Sequence, residues 1–134
     1  MQENWGWMTK PAKYRYVLDS IIESAERIMV GKYKVITLCG STRFKDAFLE
    51  TQKRLTLEGN IVISVGLFGH SGDEEVWEPG TKEMLDDMHK RKIDMADEIF
   101  VINVDGYIGS STRSEIEYAE KTGKKVNYLE SIID

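Results

Sequence analysis

Residues 98–126, with the sequence EIFVINVDGYIGSSTRSEIEYAEKTGKKV, decide the fold predicted for this chain. The apolar run at 99–102 predicts a buried strand, and the Gly/Ser-rich segment after it predicts a loop. A helix is expected from near Thr112 to Gly123, because glycine suits the left-handed position that follows a helix end. A strand, a glycine-rich loop and a helix in this order gather backbone N–H groups around one point, which favours an anion.

The rest of the chain repeats this alternation of apolar strands and amphipathic helices. A helix is predicted over about residues 11–29, followed by a strand over 34–39, a helix to 58, a strand over 61–65, a long glycine-rich and acidic loop over 66–80, a helix over 81–94 and a last strand over 125–129. The strands are continuous apolar runs, which is typical of a parallel sheet covered on both faces. We therefore predict an α/β fold with a small doubly wound parallel sheet and a ligand site at the carboxyl ends of its strands.

Length and composition favour one globular domain. The chain has 134 residues, of which 41% are hydrophobic and 31% charged. We predict a single domain over residues 1–134, with 1–33 as an N-terminal helical extension. The net charge of −5 and the lack of a basic stretch argue against a nucleic-acid polymer as partner. No apolar run approaches the roughly 20 residues that span a bilayer, so no membrane partner is expected.

Cysteine usage and the first residues bear on the cellular compartment. Cys39 is the only cysteine, so no internal disulfide can form, and a reducing cytoplasm is the expected setting. The segment MQENWGWMTK lacks the basic and apolar regions of a secretory signal. Within it, Trp5 and Trp7 are candidates for a contact with their own domain or with a second subunit.

Two short loops of similar sequence each follow a predicted strand and precede a helix. They consist of Gly40, Ser41, Thr42 and Arg43, and of Gly109, Ser110, Ser111, Thr112 and Arg113. Each offers backbone N–H groups, hydroxyls and a guanidinium, which together suit a phosphate. An arginine in the first turn of a helix opposes the helix dipole, so two in matching places indicate an anion between them. The alternative is that the Ser and Thr residues are ordinary N-caps and both arginines point to solvent.

Glu115 has two interpretations. In the tetrapeptide TRSE at 112–115 it fits a capping box, in which the glutamate side chain reaches back to the N–H of Thr112. It also shares a helical line with Tyr118 and Ala119, on or beside the inward face. A carboxylate in that position, at the mouth of the crevice, can act as a nucleophile.

The histidines and the cysteine are further candidates for the site. His70 lies in the long glycine-rich loop and His89 partly on the inward face of its helix, and each is either structural or a ligand contact. Cys39 ends a buried strand, so it is a core residue or, being next to Gly40, part of the pocket lining. The two histidines are too far apart in sequence for a metal motif, so we predict no metal ion.

Three segments resemble the nucleoside 2-deoxyribosyltransferase superfamily, which includes deoxynucleoside 5′-monophosphate N-glycosidases. They are VITLCGSTR at 35–43, KIDMADEIFVIN at 92–103 and GSSTRSEIEYAEKTGKKV at 109–126. The specific parts are the C-G-S-x-R loop, the Ala96-Asp97 pair and the E-x-x-x-A start of the last helix, within a similarity that covers residues 34–129. The resemblance implies a flavodoxin-like (Rossmann-like) three-layer sandwich, to which the N-terminal helix is an addition.

The resemblance also implies an activity: cleavage or transfer of the N-glycosidic bond of a nucleoside or nucleoside 5′-monophosphate through a covalent glycosyl–glutamate, without a cofactor. Glu115 would be the nucleophile, and the loops at 40–43 and 109–112 would hold the sugar and its phosphate. His89 stands where the family usually has an acid, eight residues before Asp97. It either assists or recognises the base, or marks the loss of the reaction. The alternative function is a non-catalytic nucleotide-binding or sensor module. Family members complete their sites from a neighbouring subunit, so a homodimer or larger homo-oligomer is expected.

Overall fold

A computed structural model describes residues 18–19, 21–22, 32–69 and 78–132. The chain divides into two compact units, Met1–Tyr33 and Lys34–Asp134. In the first unit, residues 18–19 and 21–22 are helical, as expected for the predicted N-terminal helix. The remainder of that helix, together with Trp5 and Trp7, lies outside the described residues.

The second unit is an α/β fold with a four-stranded, all-parallel sheet. Its elements are β1 (Val35–Gly40), α1 (Lys45–Leu57), β2 (Ile61–Ile63), α2 (Thr81–Asp94), β3 (Glu98–Ile102), a short 3₁₀ turn (Val104–Gly106), α3 (Ser110–Lys121) and β4 (Lys125–Tyr128). The strand order is β2-β1-β3-β4, with parallel pairing throughout. This confirms the predicted doubly wound parallel sheet and is consistent with a flavodoxin-like, Rossmann-like sandwich.

Helices cover both faces of the sheet. On one face α1 packs against a cluster made of Ile36, Leu38, Phe48, Leu55 and Ile102. On the other face α2 and α3 pack against a cluster made of Cys39, Ile93, Ile99, Val101, Ile116 and Ala119. Successive residues of a strand point to opposite faces, which is why neighbours in β1 belong to different clusters. Among the described residues, none of the helices combines the length and the apolar character needed to cross a bilayer.

Two element boundaries differ from the prediction by two residues, while several others differ by one. β2 ends at Ile63 rather than at residue 65, because its pairing with β1 stops at Thr37↔Ile63. The next carbonyl, that of Ser64, accepts a hydrogen bond of 2.9 Å from Lys92 Nζ instead of one from a strand. The last helix begins at Ser110 rather than near Thr112.

Both ends of β1 are fixed by contacts that the sequence motifs supply. At its amino end, Val35 N donates to Asp97 Oδ2 at 2.8 Å, and Asp97 N donates to the Val35 carbonyl at 2.8 Å. At its carboxyl end, Gly40 pairs with Ile102, and a Cβ at Gly40 would lie 2.8 Å from the Ile102 carbonyl oxygen. Glycine is therefore required where β1 and β3 come together, and Asp97 of the Ala-Asp pair has a structural role.

Candidate active site

The candidate site lies at the carboxyl ends of β1 and β3, which are neighbours in the sheet. β1 leads into α1 on one face and β3 leads into α3 on the other. Loops that diverge in this way leave a crevice at the switch point, where ligands bind in open α/β sheets. The two loops of similar sequence therefore start from adjacent strands, as predicted.

Three side chains from three different elements meet on the α2/α3 face: Cys39 of β1, His89 of α2 and Glu115 of α3. Cys39 Sγ lies 3.4 Å from His89 Nε2, and His89 Nε2 lies 3.9 Å from Glu115 Oε1. One ligand atom from each residue lies within 4.8 Å of the other two. Cys39 and His89 are buried, and the Glu115 side chain is only 13% exposed.

The position of Glu115 in its helix rules out the capping interpretation. The N-cap residue of α3 is Gly109, and no side chain caps this end of the helix. Glu115 is consequently the sixth residue of α3, beyond the first turn whose N–H groups need a cap. The predicted capping box is wrong because the helix starts two residues earlier than the sequence pattern suggested. Glu115 lies instead beside His89 and Cys39.

Burial sets the protonation state of Glu115. Its pKa is raised to about 7, mainly by desolvation and to a smaller extent by the negative charge of Asp86. The hydrogen bond with Cys39 and the positive charges of Lys90 and Lys82 act in the opposite direction. Near neutral pH a substantial fraction of Glu115 is therefore ionised, with the remainder protonated.

His89 and Cys39 are neutral in this environment. The pKa of His89 is lowered to about 4, mainly by burial and also by the charge of Lys92, while a hydrogen bond with the Leu38 backbone and the Asp86 charge act in the opposite direction. Burial and the neighbouring Glu115 raise the pKa of the Cys39 thiol well above its usual range. At neutral pH the 3.9 Å contact thus joins a neutral imidazole to Glu115, and no ion pair forms. Of the three groups, only Glu115 changes charge readily near neutral pH.

The loops at the ends of β1 and β3 are in direct contact through Arg43. Its Nη2 donates to Tyr107 Oη at 3.2 Å, and its guanidinium carbon lies 4.3 Å from the centre of the Tyr107 ring. Ser41 Oγ accepts hydrogen bonds from the Arg43 backbone N–H at 3.3 Å and from Nε at 3.1 Å. Sequence reasoning did not single out Tyr107; the available signal was an aromatic residue between Gly106 and Gly109 at a strand end.

The helix starts differ from the N-cap interpretation of the loops. The N-cap positions are Phe44 for α1 and Gly109 for α3, and neither helix end has a side-chain cap. Arg43 precedes the first helix instead of lying in its first turn. Arg113 is exposed, as are Ser110 and Ser111, while Thr112 is buried. Neither helix start has the side-chain N-cap that the alternative interpretation expected, whereas the exposure of both Arg43 and Arg113 agrees with that interpretation.

His70 and Asp86 are two further titratable residues that bear on the site. His70 lies outside the described residues, so its predicted place in the site stays a prediction. Asp86 of α2 is partly buried, pairs with Lys82 at 2.7 Å and raises the pKa values of both His89 and Glu115. Its spacing of three residues before His89, which places both on one side of α2, was the signal available in the sequence.

Comparison with known proteins adds no family assignment: the chain matches no protein-family model, and no curated protein is significantly similar to it. The family resemblance therefore rests on the motifs quoted above.

Proposed function

We propose that this protein binds a nucleoside or nucleoside 5′-monophosphate at the carboxyl ends of β1 and β3 and cleaves or transfers its N-glycosidic bond. The observation that carries the proposal is the placement of Glu115. Its carboxylate is largely buried, lies beside the switch-point crevice and has a pKa of about 7. Perturbed carboxyl groups in a crevice are candidates for reacting groups.

Glu115 acts as the nucleophile in this proposal. Its ionised oxygen attacks the anomeric carbon, the bond to the base breaks through an oxocarbenium-like transition state, and a covalent glycosyl ester forms. Water, or a second base in a transfer reaction, then attacks the same carbon and releases Glu115 as the free carboxylate. Because only the ionised form attacks, the rate is expected to fall as the pH drops below about 7.

The loop geometry supports a phosphate-bearing substrate. Arg43 is held at the crevice by Ser41 and Tyr107, and a held guanidinium loses less conformational entropy when it binds an oxyanion. The uncapped amino end of α3 faces the same strand ends and presents backbone N–H groups. A 5′-phosphate between these two elements would leave the sugar within the crevice that Glu115 borders.

One observation favours a second function, nucleotide binding without cleavage. A leaving base needs a proton, and His89, which occupies the position of the family's usual acid, has a pKa of about 4. A neutral imidazole is a poor proton donor at neutral pH. If no other group supplies that proton, the same crevice would hold the nucleotide as a sensor does.

The test is release of free base from a panel of nucleosides and nucleoside 5′-monophosphates, followed by chromatography. Glu115→Gln is expected to reduce the rate by about a hundredfold or more, because amide oxygen is a poor nucleophile. Glu117→Gln is the matched control, since Glu117 is exposed on the same helix, and it should keep full activity.

Three outcomes separate the two functions. Base release that depends on Glu115 supports the glycosidic reaction. Nucleotide binding in calorimetry without base release from any member of the panel supports the sensor module. Base release at an undiminished rate from the Glu115→Gln variant would exclude Glu115 as the nucleophile.

A further inference from the structure

The cluster of Cys39, His89 and Glu115 brings together one sulfur, one nitrogen and one carboxylate oxygen. These are the three ligand types that zinc uses in proteins. The residues come from β1, α2 and α3, so their spacing in the sequence matches no metal motif. We propose that this cluster is a binding site for a single Zn²⁺ ion, with Cys39 Sγ, His89 Nε2 and one Glu115 carboxylate oxygen as its protein ligands.

The distances between the donor atoms fit tetrahedral zinc. With bonds of about 2.3 Å to sulfur and about 2.1 Å to nitrogen and oxygen, tetrahedral angles place sulfur and nitrogen about 3.5 Å apart, and nitrogen and oxygen about 3.4 Å apart. Cys39 Sγ and His89 Nε2 are 3.4 Å apart. His89 Nε2 and Glu115 Oε1 are 3.9 Å apart, and all three donor atoms lie within 4.8 Å of one another, so a shift of about one ångström in the Glu115 carboxylate completes the site.

The surroundings of His89 also suit a metal ligand. Histidines that bind metals commonly use their second ring nitrogen to donate to a backbone carbonyl or a carboxylate, which fixes the ring orientation. The Leu38 backbone contributes to the pKa of His89 as a hydrogen-bond partner of its imidazole. In the tautomer that keeps its proton on that side, Nε2 presents a lone pair to Cys39 and Glu115.

Charge and proton balance favour a divalent ion. Binding converts the Cys39 thiol to a thiolate and releases its proton to solvent, and any protonated fraction of Glu115 releases its proton as well. The thiolate and the carboxylate then together offset the two positive charges of the ion. Affinity should consequently increase with pH, and each bound ion should release between one and two protons.

Three protein ligands leave one coordination position for water, as in open zinc sites. The bound ion would occupy the carboxylate that the proposed glycosidic reaction needs as its nucleophile. Metal binding and nucleophilic attack by Glu115 therefore exclude each other, an expectation that rests on the proposed function. The binding of the ion itself does not rest on it.

The test uses the full chain, without an affinity tag, titrated with Co²⁺ as a spectroscopic substitute for zinc. We expect one equivalent to produce visible d–d bands of tetrahedral intensity and a near-ultraviolet thiolate-to-cobalt band, both of which disappear when one equivalent of Zn²⁺ is added. The thiolate band requires Cys39, the only cysteine. Folded wild-type protein without this band would overturn the proposal.

Variants then identify the ligands. Cys39→Ser should lose the near-ultraviolet band, and His89→Gln should weaken Zn²⁺ binding at least tenfold in calorimetry, while Glu117→Gln on the exposed side of α3 should bind like the wild type. Circular dichroism establishes that each variant is folded. Unchanged zinc affinity in a folded His89→Gln variant would contradict the assignment.

The readouts distinguish this proposal from the proposed function. The cobalt spectrum needs no nucleotide, so it tests metal binding independently of whether free base is released. Base release by a protein that gives no cobalt–thiolate band would overturn the metal site alone. A cobalt–thiolate band in a protein that cleaves no nucleotide would support the metal site and remove only the expected competition.

Discussion

The two faces of the sheet bury different kinds of side chain. Among the described residues, the α1 face buries no ionisable group: it holds Ile36, Leu38, Phe48, Leu55 and Ile102, with the hydroxyl-bearing Thr51 of α1 beside them. The α2/α3 face also has an apolar cluster, but it includes Cys39 and borders His89 and Glu115. Apolar burial stabilises the folded state, whereas burial of ionisable groups costs free energy unless they are neutral or paired. The comparison indicates that one face mainly supplies stability and the other carries the chemistry.

The protonation states of the buried groups on the α2/α3 face reduce the free-energy cost of burying them. His89 is neutral because burial lowers its pKa to about 4, and the Cys39 thiol stays protonated. Glu115, with a pKa of about 7, becomes charged within the physiological range. Ionisation of Glu115, which the proposed reaction needs, therefore lowers the free energy of unfolding.

The largest expected effect is on the apolar face. Phe48 is fully buried in the α1 cluster, and its ring contacts Phe68 edge to face at 5.6 Å. Phe48→Ala should reduce the free energy of unfolding by about 3–5 kcal/mol, because it leaves a cavity. Urea denaturation measures the loss, and Phe48→Leu, which keeps most of the volume, is the matched control.

The pKa of Glu115 in folded Phe48→Ala protein, measured by carbon NMR of the carboxyl group, should stay at about 7. A large change in that value would mean that the two faces are coupled, and the division between them would not hold.

A gain in stability is expected from Glu115→Gln above pH 7. The pKa of Glu115 rises from 4.5 to about 7 on folding, so its contribution to stability is fully present below pH 4.5 and is lost as the pH rises through 7. At pH 8 the variant should be more stable than the wild type by up to about 3 kcal/mol. At pH 4.5 the difference should be small.

Thermal denaturation across this pH range, with a chelator present, measures the effect. The low pKa of His89 gives stability that is present above pH 6.5 and lost as the pH falls toward 4. The wild type and the Glu115→Gln variant both contain His89, so this dependence cancels when their stabilities are subtracted. A difference between variant and wild type that does not vary with pH would show that Glu115 has an ordinary pKa.

The smallest effect is expected from Asp86→Asn. The charge of Asp86 raises the pKa of Glu115, so its removal should lower that pKa, by less than burial raises it. The stability of the fold should change by no more than about 0.5 kcal/mol, because the pair with Lys82 is at the surface. Carbon NMR titration of Glu115 detects the change, and the exposed neighbour Asp87, changed to Asn, should leave the pKa unaltered.

Much of the fold followed from the sequence because the strands are short, continuous apolar runs separated by helices with one apolar side. Helix α2 was predicted with the bounds it has, Thr81–Asp94. The boundaries that differ by two residues are those where a tertiary contact competes with local preference. Lys92 Nζ donates a hydrogen bond to the carbonyl of Ser64, just after the end of β2. The helix after β3 starts at Ser110 and lacks the side-chain cap that was predicted at Thr112.

The candidate site was predictable only in part. The glycine-rich loops at the strand ends were visible because their residue types and order reflect local geometry. The contact between Arg43 and Tyr107 was not visible, since 64 positions separate the two residues. The spacing of three residues before His89 distinguished Asp86 from its exposed neighbour Asp87, but only the packing of α2 showed that the charge of Asp86 also acts on Glu115.

The sequence by itself determined the alternation of strands and helices and the parallel sheet, since these depend on local hydrophobic patterns. Only the tertiary structure decided the neighbours and the protonation of Glu115. The packing of α2 and α3 on one face of β1 brings Cys39 and His89 to its carboxylate and removes water from it. Desolvation is a property of the assembled face, so a pKa of about 7 and a sulfur–nitrogen–oxygen cluster exist only in the folded chain.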